Sequence, residues 1–181
     1  RNIVETAAQY GKRVVFSSTD FVFDGEKDEY HEIDTPNPIN WYGVTKYEGE
    51  KIVLAASSKN VVLRISYPYR AVNELKTDFF HALLNRLQKN EKVYALTDHI
   101  FTPTFIDDIA SVIAVLVNSN HSGIFHGVGN NSLTPYSAAG EIASVFGLDR
   151  TLIHKTTRED FYRNRASRPY KLKLNNGKIR H

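Results

Sequence analysis

The 181-residue chain has no cysteine and no methionine. The first absence excludes disulfides, Cys-ligated zinc and a thiol nucleophile, and it suits a cytoplasmic protein. The second removes an ordinary filler of hydrophobic cores. No apolar run approaches the roughly 20 residues of a membrane span, so no membrane partner is expected. No signal peptide is visible. The seven histidines contain no His-x-x-x-His pair, and no metal site is assigned. There is no internal repeat or low-complexity tract. No nucleophile-elbow pattern surrounds Ser17 or Ser18, which argues against a hydrolase.

What is present is ordinary for a soluble globular chain: 41% hydrophobic and 24% charged residues. The length suits one domain, or one domain with an incomplete neighbour. Charge is unevenly placed. Residues 150–181 hold 10 Lys/Arg against 2 Asp/Glu, whereas residues 1–149 hold 13 against 18. The basic segment has two readings: a wall for a diphosphate-bearing substrate, or a solvated, partly disordered tail. Nucleic acid is not an expected partner, since the segment lacks a helix-turn-helix or zinc-finger pattern and Phe161, Tyr162 and Tyr170 form no stacking motif.

Periodicity gives alternating helices and strands, hence an α/β chain with parallel strands. Residues 1–10 read as a helix stopped by Gly11. Residues 13–18 read as a buried strand running into Ser17, Ser18 and Thr19. A long loop, 19–40, follows. Asn40 is the expected cap of a helix reaching about Ala56. Residues 61–65 form the next strand, and Arg64 within it signals either a buried pair or a strand end. Helix 78–89 and strand 93–96 come next. Thr104 is the expected cap of a helix over 107–118, and His126 lies in a strand over 124–128 as a satisfied structural residue. Thr134-Pro135 opens a helix ending before Gly147.

Within the helix after Asn40, Tyr42, Lys46, Gly49 and Val53 fall on one stripe, with Glu48, Glu50 and Lys51 off it. An ammonium held beside a phenol favours the phenolate, which would let a tyrosine exchange a proton with a carbonyl or alcohol. An exposed helical pair is the plainer account of the same spacing. Gly49 implies close approach to the neighbouring strand. Thr19 lies 23 residues before Tyr42, at a strand's carboxyl end, where chemistry gathers in open α/β sheets.

Ser17-Ser18-Thr19-Asp20-Phe21-Val22-Phe23-Asp24-Gly25, with Asn40-Trp41-Tyr42-Gly43-Val44-Thr45-Lys46, resembles the extended short-chain dehydrogenase/reductase superfamily, most closely its dTDP-4-dehydrorhamnose reductase branch. Leu63–Tyr67, Pro103–Ala110, Gly123–His126 and Arg168-Pro169 fit later positions. The resemblance implies a Rossmann-like doubly wound parallel sheet, of which this chain holds the C-terminal part, with a smaller substrate-binding α/β region. Residues 1–66 would belong to the NAD(P)-binding domain and 67–181 mainly to the substrate region. The family's opening strand and Gly-rich turn have no counterpart here, and the chain opens as a helix already under way, so that part is expected upstream.

The resemblance also implies roles. Tyr42 would protonate the substrate oxygen, Lys46 would assist it and bond the nicotinamide ribose, and Thr19 would hold the substrate carbonyl. Ser17, Ser18, Tyr42, Lys46 and Ile65 would contact NADP or NAD. Asp20, Phe21, Tyr67 and Arg168 would line the nucleotide-sugar site, with Tyr67 standing where the branch commonly has Trp. The expected activity is NAD(P)H-dependent reduction of a nucleotide-linked 4-keto-6-deoxysugar. Phe21, where a 4,6-dehydratase would carry Glu, counts against dehydration. A C4 epimerase stays open, as does a non-catalytic NADP-binding regulatory subunit like that of methionine adenosyltransferase. A homodimer is one assembly the resemblance allows.

Overall fold

The computed structural model describes residues 2–72, 77–163 and 167–180. In chain order its elements are α1 (Asn2–Gln9), β1 (Val15–Thr19), α2 (Trp41–Ala56), β2 (Val61–Ile65), β3 (Pro68–Tyr69), α3 (Phe79–Gln88), β4 (Val93–Leu96), β5 (Thr104–Phe105), α4 (Ile106–Asn118), β6 (Gly123–His126), α5 (Pro135–Val145), β7 (Ile153–Thr156) and α6 (Arg158–Phe161).

The main sheet is parallel, in the order β1-β2-β6. Parallel neighbours need long crossovers, and helices supply them. Successive strand side chains face opposite ways. Val61 and Leu63 of β2 therefore pack with Ile109, Leu116 and Phe125 on the α4 side. Val62 packs with Val4 and Val53, from α1 and α2, on the other. Helices on both faces make this a Rossmann-like doubly wound sheet, and a strand covered on both faces reads as an unbroken apolar run.

A second layer is built around β4 and β7, which pair in parallel. α3 and α5 close it with Leu84, Leu87, Ala139, Ile142 and Ala143. Fully burying each such Leu or Ile contributes about 1.5–3 kcal/mol. Between the layers, β3 pairs with β5, tying the exit of β2 to the start of α4. No helix among the described residues is long and apolar enough to cross a membrane.

Caps follow the local sequence in two cases. Asn40 Oδ1 accepts from Gly43 N at 2.9 Å. Thr134 and Ser137 form a capping box, with Pro135 at the first helical position. Thr104 does not cap. The N-cap of α4 is Phe105, without a side-chain bond. Thr104 is buried in β5 and its hydroxyl donates to Ser66 O at 2.9 Å. The first strand begins at Val15; just before it Val14 N is taken by Asn60 Oδ1 at 2.8 Å, and the Arg13 guanidinium reaches the carbonyls of Ser119 and His121 past the end of α4.

The basic terminal segment is not a solvated tail over residues 169–175. Leu172 and Leu174 are buried. Leu172 N donates to Ile100 O, Lys171 N to Gly25 O and Tyr30 N to Lys173 O, at 2.8, 3.1 and 2.8 Å. The segment thus threads between residues 99–102 and the loop 19–40. That loop is held from within as well. The Tyr30 hydroxyl accepts from the backbone N–H groups of Gly25, Glu26 and Lys27 and donates to Asp24.

Candidate active site

Thr19 ends β1 and caps the short 3-10 turn Asp20–Val22. Its oxygen accepts from Phe21 N at 3.3 Å, and its proton goes to Asp20 Oδ1 at 2.9 Å. The second Asp20 oxygen accepts from Ser66 Oγ, just past β2, at 2.6 Å. Asp20 is 2% exposed. Burial pushes its carboxyl up to about 6, against the lowering effect of the Ser66 and Thr19 hydrogen bonds.

The N-terminus of α2 is pressed onto this turn. A Cβ at Gly43 would lie 2.1 Å from Phe21 O, so only glycine permits the approach. The contact sets the Tyr42 ring edge-on to Phe21, with centroids 5.9 Å apart. Tyr42 is half exposed. One helical turn on, Lys46 Nζ donates to Ser17 O at 3.0 Å and stands 5.2 Å from the centre of the Phe16 ring. Gly49 faces the same ring: a Cβ there would be 2.8 Å from Phe16 Cζ, which is the close approach read from the sequence.

Below Lys46 the helix is anchored by Glu50. Arg64 Nε and Nη2 donate to its two oxygens at 2.9 and 2.7 Å, and Ser18 Oγ donates at 2.5 Å. Arg64 also lies 4.9 Å from the Phe23 ring centre. Ser18 thus spends its hydroxyl inside the fold, whereas Ser17 is exposed. Ile65 is half-buried against the core on the α4 side.

Tyr67 has a left-handed backbone, φ +40°, an uncommon state for a non-glycine residue. Its hydroxyl lies 3.0 Å from His99 Nε2, and His99 Nδ1 lies 3.2 Å from Pro169 O. A carbonyl only accepts, so Nδ1 carries the proton and Nε2 accepts from Tyr67. Burial, then the charge of Arg158, lowers the His99 pKa to about 4 and keeps the ring neutral. Burial and the nearby Asp20 charge raise the Tyr67 phenol. Tyr67, His99, Tyr94, Tyr162 and Arg168 face a cavity of about 320 Å³. Arg168 is exposed and lies 5.0 Å from the Tyr162 ring centre. Tyr67 also borders an aromatic cavity of about 210 Å³ lined by Phe79, Phe80, Phe101 and Phe146.

The residues expected from the sequence therefore cluster by contact in two groups. Thr19, Asp20, Phe21 and Tyr42 meet just past the carboxyl end of β1 and Lys46 bonds Ser17 O in the same strand, while Tyr67 and Arg168 face the cavity of about 320 Å³. His126 spends Nδ1 on Asn175 O at 3.0 Å, but its buried Nε2 has no protein partner. The sequence reading did not find Ser66, His99 or the burial of Glu50. Arg64 in an apolar strand was the available signal for Glu50, because a buried guanidinium needs a buried acid.

The RmlD substrate binding domain profile matches residues 1–181. The chain is 36% identical over 163 residues to methionine adenosyltransferase 2 subunit beta of Bos taurus, covering 86% of this chain and 48% of that protein. It is 34% identical over 155 residues to a probable low-salt glycan biosynthesis reductase, Agl14, of Haloferax volcanii, covering 84% and 51%. The chain thus spans about half the length of these curated relatives. A crystal structure of dTDP-4-dehydrorhamnose reductase from Bacillus anthracis in complex with NADP superposes with a TM-score of 0.90 at 26% identity, covering 99% of this chain and 62% of that one.

Proposed function

The chain belongs to the RmlD substrate binding domain family, within the dTDP-4-dehydrorhamnose reductase-like part of the extended short-chain dehydrogenase/reductases, and from that premise we propose that its protein reduces the C4 ketone of a nucleotide-linked 4-keto-6-deoxysugar with NADPH or NADH. The observation that carries this reading is the joint placement of Tyr42 and Lys46. On α2, Tyr42 lies edge-on to Phe21 and Lys46 donates to Ser17 O of β1.

The chemistry of these groups fits a nicotinamide nucleotide. An ammonium has three donors, and Lys46 spends one on Ser17 O, which leaves N–H groups for ribose hydroxyls. Ser17 and Ile65 would flank it. The nicotinamide, when bound, supplies a hydride to the ketone carbon. Tyr42 gives its proton to the ketone oxygen as the C=O pair moves onto that oxygen, so an alcohol results. Thr19 fixes the same oxygen. On this reading residues 1–66 furnish the nicotinamide side and 67–181 the sugar side. Phe21, Tyr67 and Arg168 line the sugar site, with the Arg168 guanidinium suited to a diphosphate. The reductase relatives support this assignment.

The test is to mix the full-length protein with NADPH and dTDP-4-keto-6-deoxysugar and follow the nicotinamide absorbance. Oxidation that vanishes in Tyr42→Phe supports the reading; no oxidation in the wild type sinks it. A second reading rests on the 36% identity to a methionine adenosyltransferase subunit. There the protein would hold NADP without turnover and assemble with a partner enzyme. Tight NADPH binding without oxidation, together with co-elution with methionine adenosyltransferase, would favour it.

A further inference from the structure

The Thr19 hydroxyl has no proton to offer a ligand in the arrangement described above. Its single hydrogen is donated to Asp20 Oδ1, and its oxygen accepts from Phe21 N. A ketone oxygen only accepts hydrogen bonds. Two acceptors facing one another would leave the ketone unheld next to a buried negative charge, where the developing alkoxide of a reduction is least welcome.

We propose that Asp20 is a positioning residue: proton uptake by its carboxyl reverses the Thr19–Asp20 hydrogen bond and frees the Thr19 hydroxyl to donate to a substrate carbonyl oxygen. The inference deepens, and rests on, the reading of this site as one for a keto sugar. The geometry requires little movement. Protonated on Oδ1, Asp20 donates to Thr19 Oγ1 across the same 2.9 Å, while Oδ2 keeps its bond from Ser66. The proton comes from solvent, and no bond between heavy atoms changes. Asp20 is almost wholly buried, its side-chain partners are two hydroxyls, Thr19 and Ser66, neither of them a cation, and the backbone N–H groups of Asp20 and Phe21 only partly offset the burial. The titratable group that feels its charge is the Tyr67 phenol, itself bonded to neutral His99, while on α2 Tyr42 packs on Phe21 and Lys46 is bonded to Ser17 O. The raised carboxyl pKa of Asp20, about 6, places the uptake within reach of neutral pH. Capture of a ketone is thereby coupled to capture of a proton, and only the protonated fraction of the protein is competent to bind.

Two measurements on the full-length protein decide the matter. By NMR without ligand, the Asp20 carboxyl carbon is expected to titrate near pH 6 and the Thr19 Cβ resonance to follow with the same midpoint. A Thr19 signal that ignores that titration, or an Asp20 that stays ionised through it, overturns the proposal. With oxidised cofactor bound, the Kd for dTDP-4-keto-6-deoxysugar is expected to weaken about tenfold from pH 7 to pH 8. Asp20→Asn, whose carboxamide can donate to Thr19 and accept from Ser66, is expected to bind equally at both pH values, as is Thr19→Val, more weakly. An unchanged pH slope in folded Asp20→Asn overturns the proposal. Complete absence of sugar binding by the wild type would instead sink the keto-sugar reading, leaving the NMR titration to decide the Asp20 device.

Discussion

Glu50 and Arg64 form a bidentate ion pair with both side chains about 1% exposed, joining α2 to β2 one helical turn beyond Lys46. The pair fixes the depth at which α2 sits on the sheet, and so the height of Lys46 and Tyr42 above the strand ends. Removing one partner leaves a buried, uncompensated charge. Arg64→Leu is therefore expected to cost about 3–5 kcal/mol by equilibrium urea unfolding. The double variant Glu50→Leu/Arg64→Leu should recover most of that loss. A single-variant cost under about 1 kcal/mol would contradict the burial of the pair.

Gly43 and Gly49 predict different responses to alanine. At Gly43 the new Cβ would meet Phe21 O at 2.1 Å, a backbone atom that moves only if the turn or the helix moves. Gly43→Ala is expected to cost about 2–3 kcal/mol in thermal unfolding. At Gly49 the obstacle is the tip of the Phe16 ring, which can tilt, and alanine gains about 1 kcal/mol of helix propensity. Gly49→Ala should be within about 1 kcal/mol of the wild type. Equal costs at the two sites would refute the assignment of the tight contact to Gly43.

Lys46→Met removes both the ammonium and its bond to Ser17 O. On the proposed reductase reading, the pH optimum of NADPH oxidation should rise and cofactor affinity should fall together. Steady-state kinetics across pH and a cofactor titration by fluorescence read the two effects. If neither changes, Lys46 has no part in the chemistry.

His99 predicts an acid-side loss of stability. Its folded pKa is held near 4, largely by burial, below its ordinary 6.5. The unfolded chain therefore binds the proton first as pH falls, and stability present above pH 6.5 drains away toward pH 4. From pH 7 to pH 5 this amounts to about 2 kcal/mol. Asp20, shifted upward, acts in the opposite direction over part of that window, but equally in wild type and variant. His99→Gln retains an acceptor for Tyr67 and no longer titrates. Its urea-unfolding free energy should fall by about 2 kcal/mol less than the wild type's between those pH values. Parallel losses would show that His99 is not held neutral by the fold.

Much of the fold was legible because it is local. Asn40 caps α2 and Thr134-Pro135 opens α5 through bonds to residues three positions on. The apolar run at β2 reflects cover on both faces. Thr104 was misread for the opposite reason. Its sequence neighbours describe a cap, but its hydroxyl is claimed by Ser66 O, 38 positions away. The terminal basic segment was ambiguous in the same way: charge count says nothing about Leu172 and Leu174, which are buried with Val22, Phe23, Tyr30 and Val128.

The sequence by itself determined the alternation of helices and strands, the helix caps, and the sharing of one helical face by Tyr42 and Lys46, because each depends on backbone periodicity and on partners a few residues apart. The tertiary structure alone decided that Asp20 lies buried under two hydroxyls, that Glu50 turns inward to Arg64, and that His99 accepts the Tyr67 hydrogen bond. Those outcomes depend on desolvation and on a partner 14 to 46 positions distant for the Arg64, Tyr67 and Ser66 contacts, and a side chain's charge state follows its surroundings in space, not its neighbours in the chain.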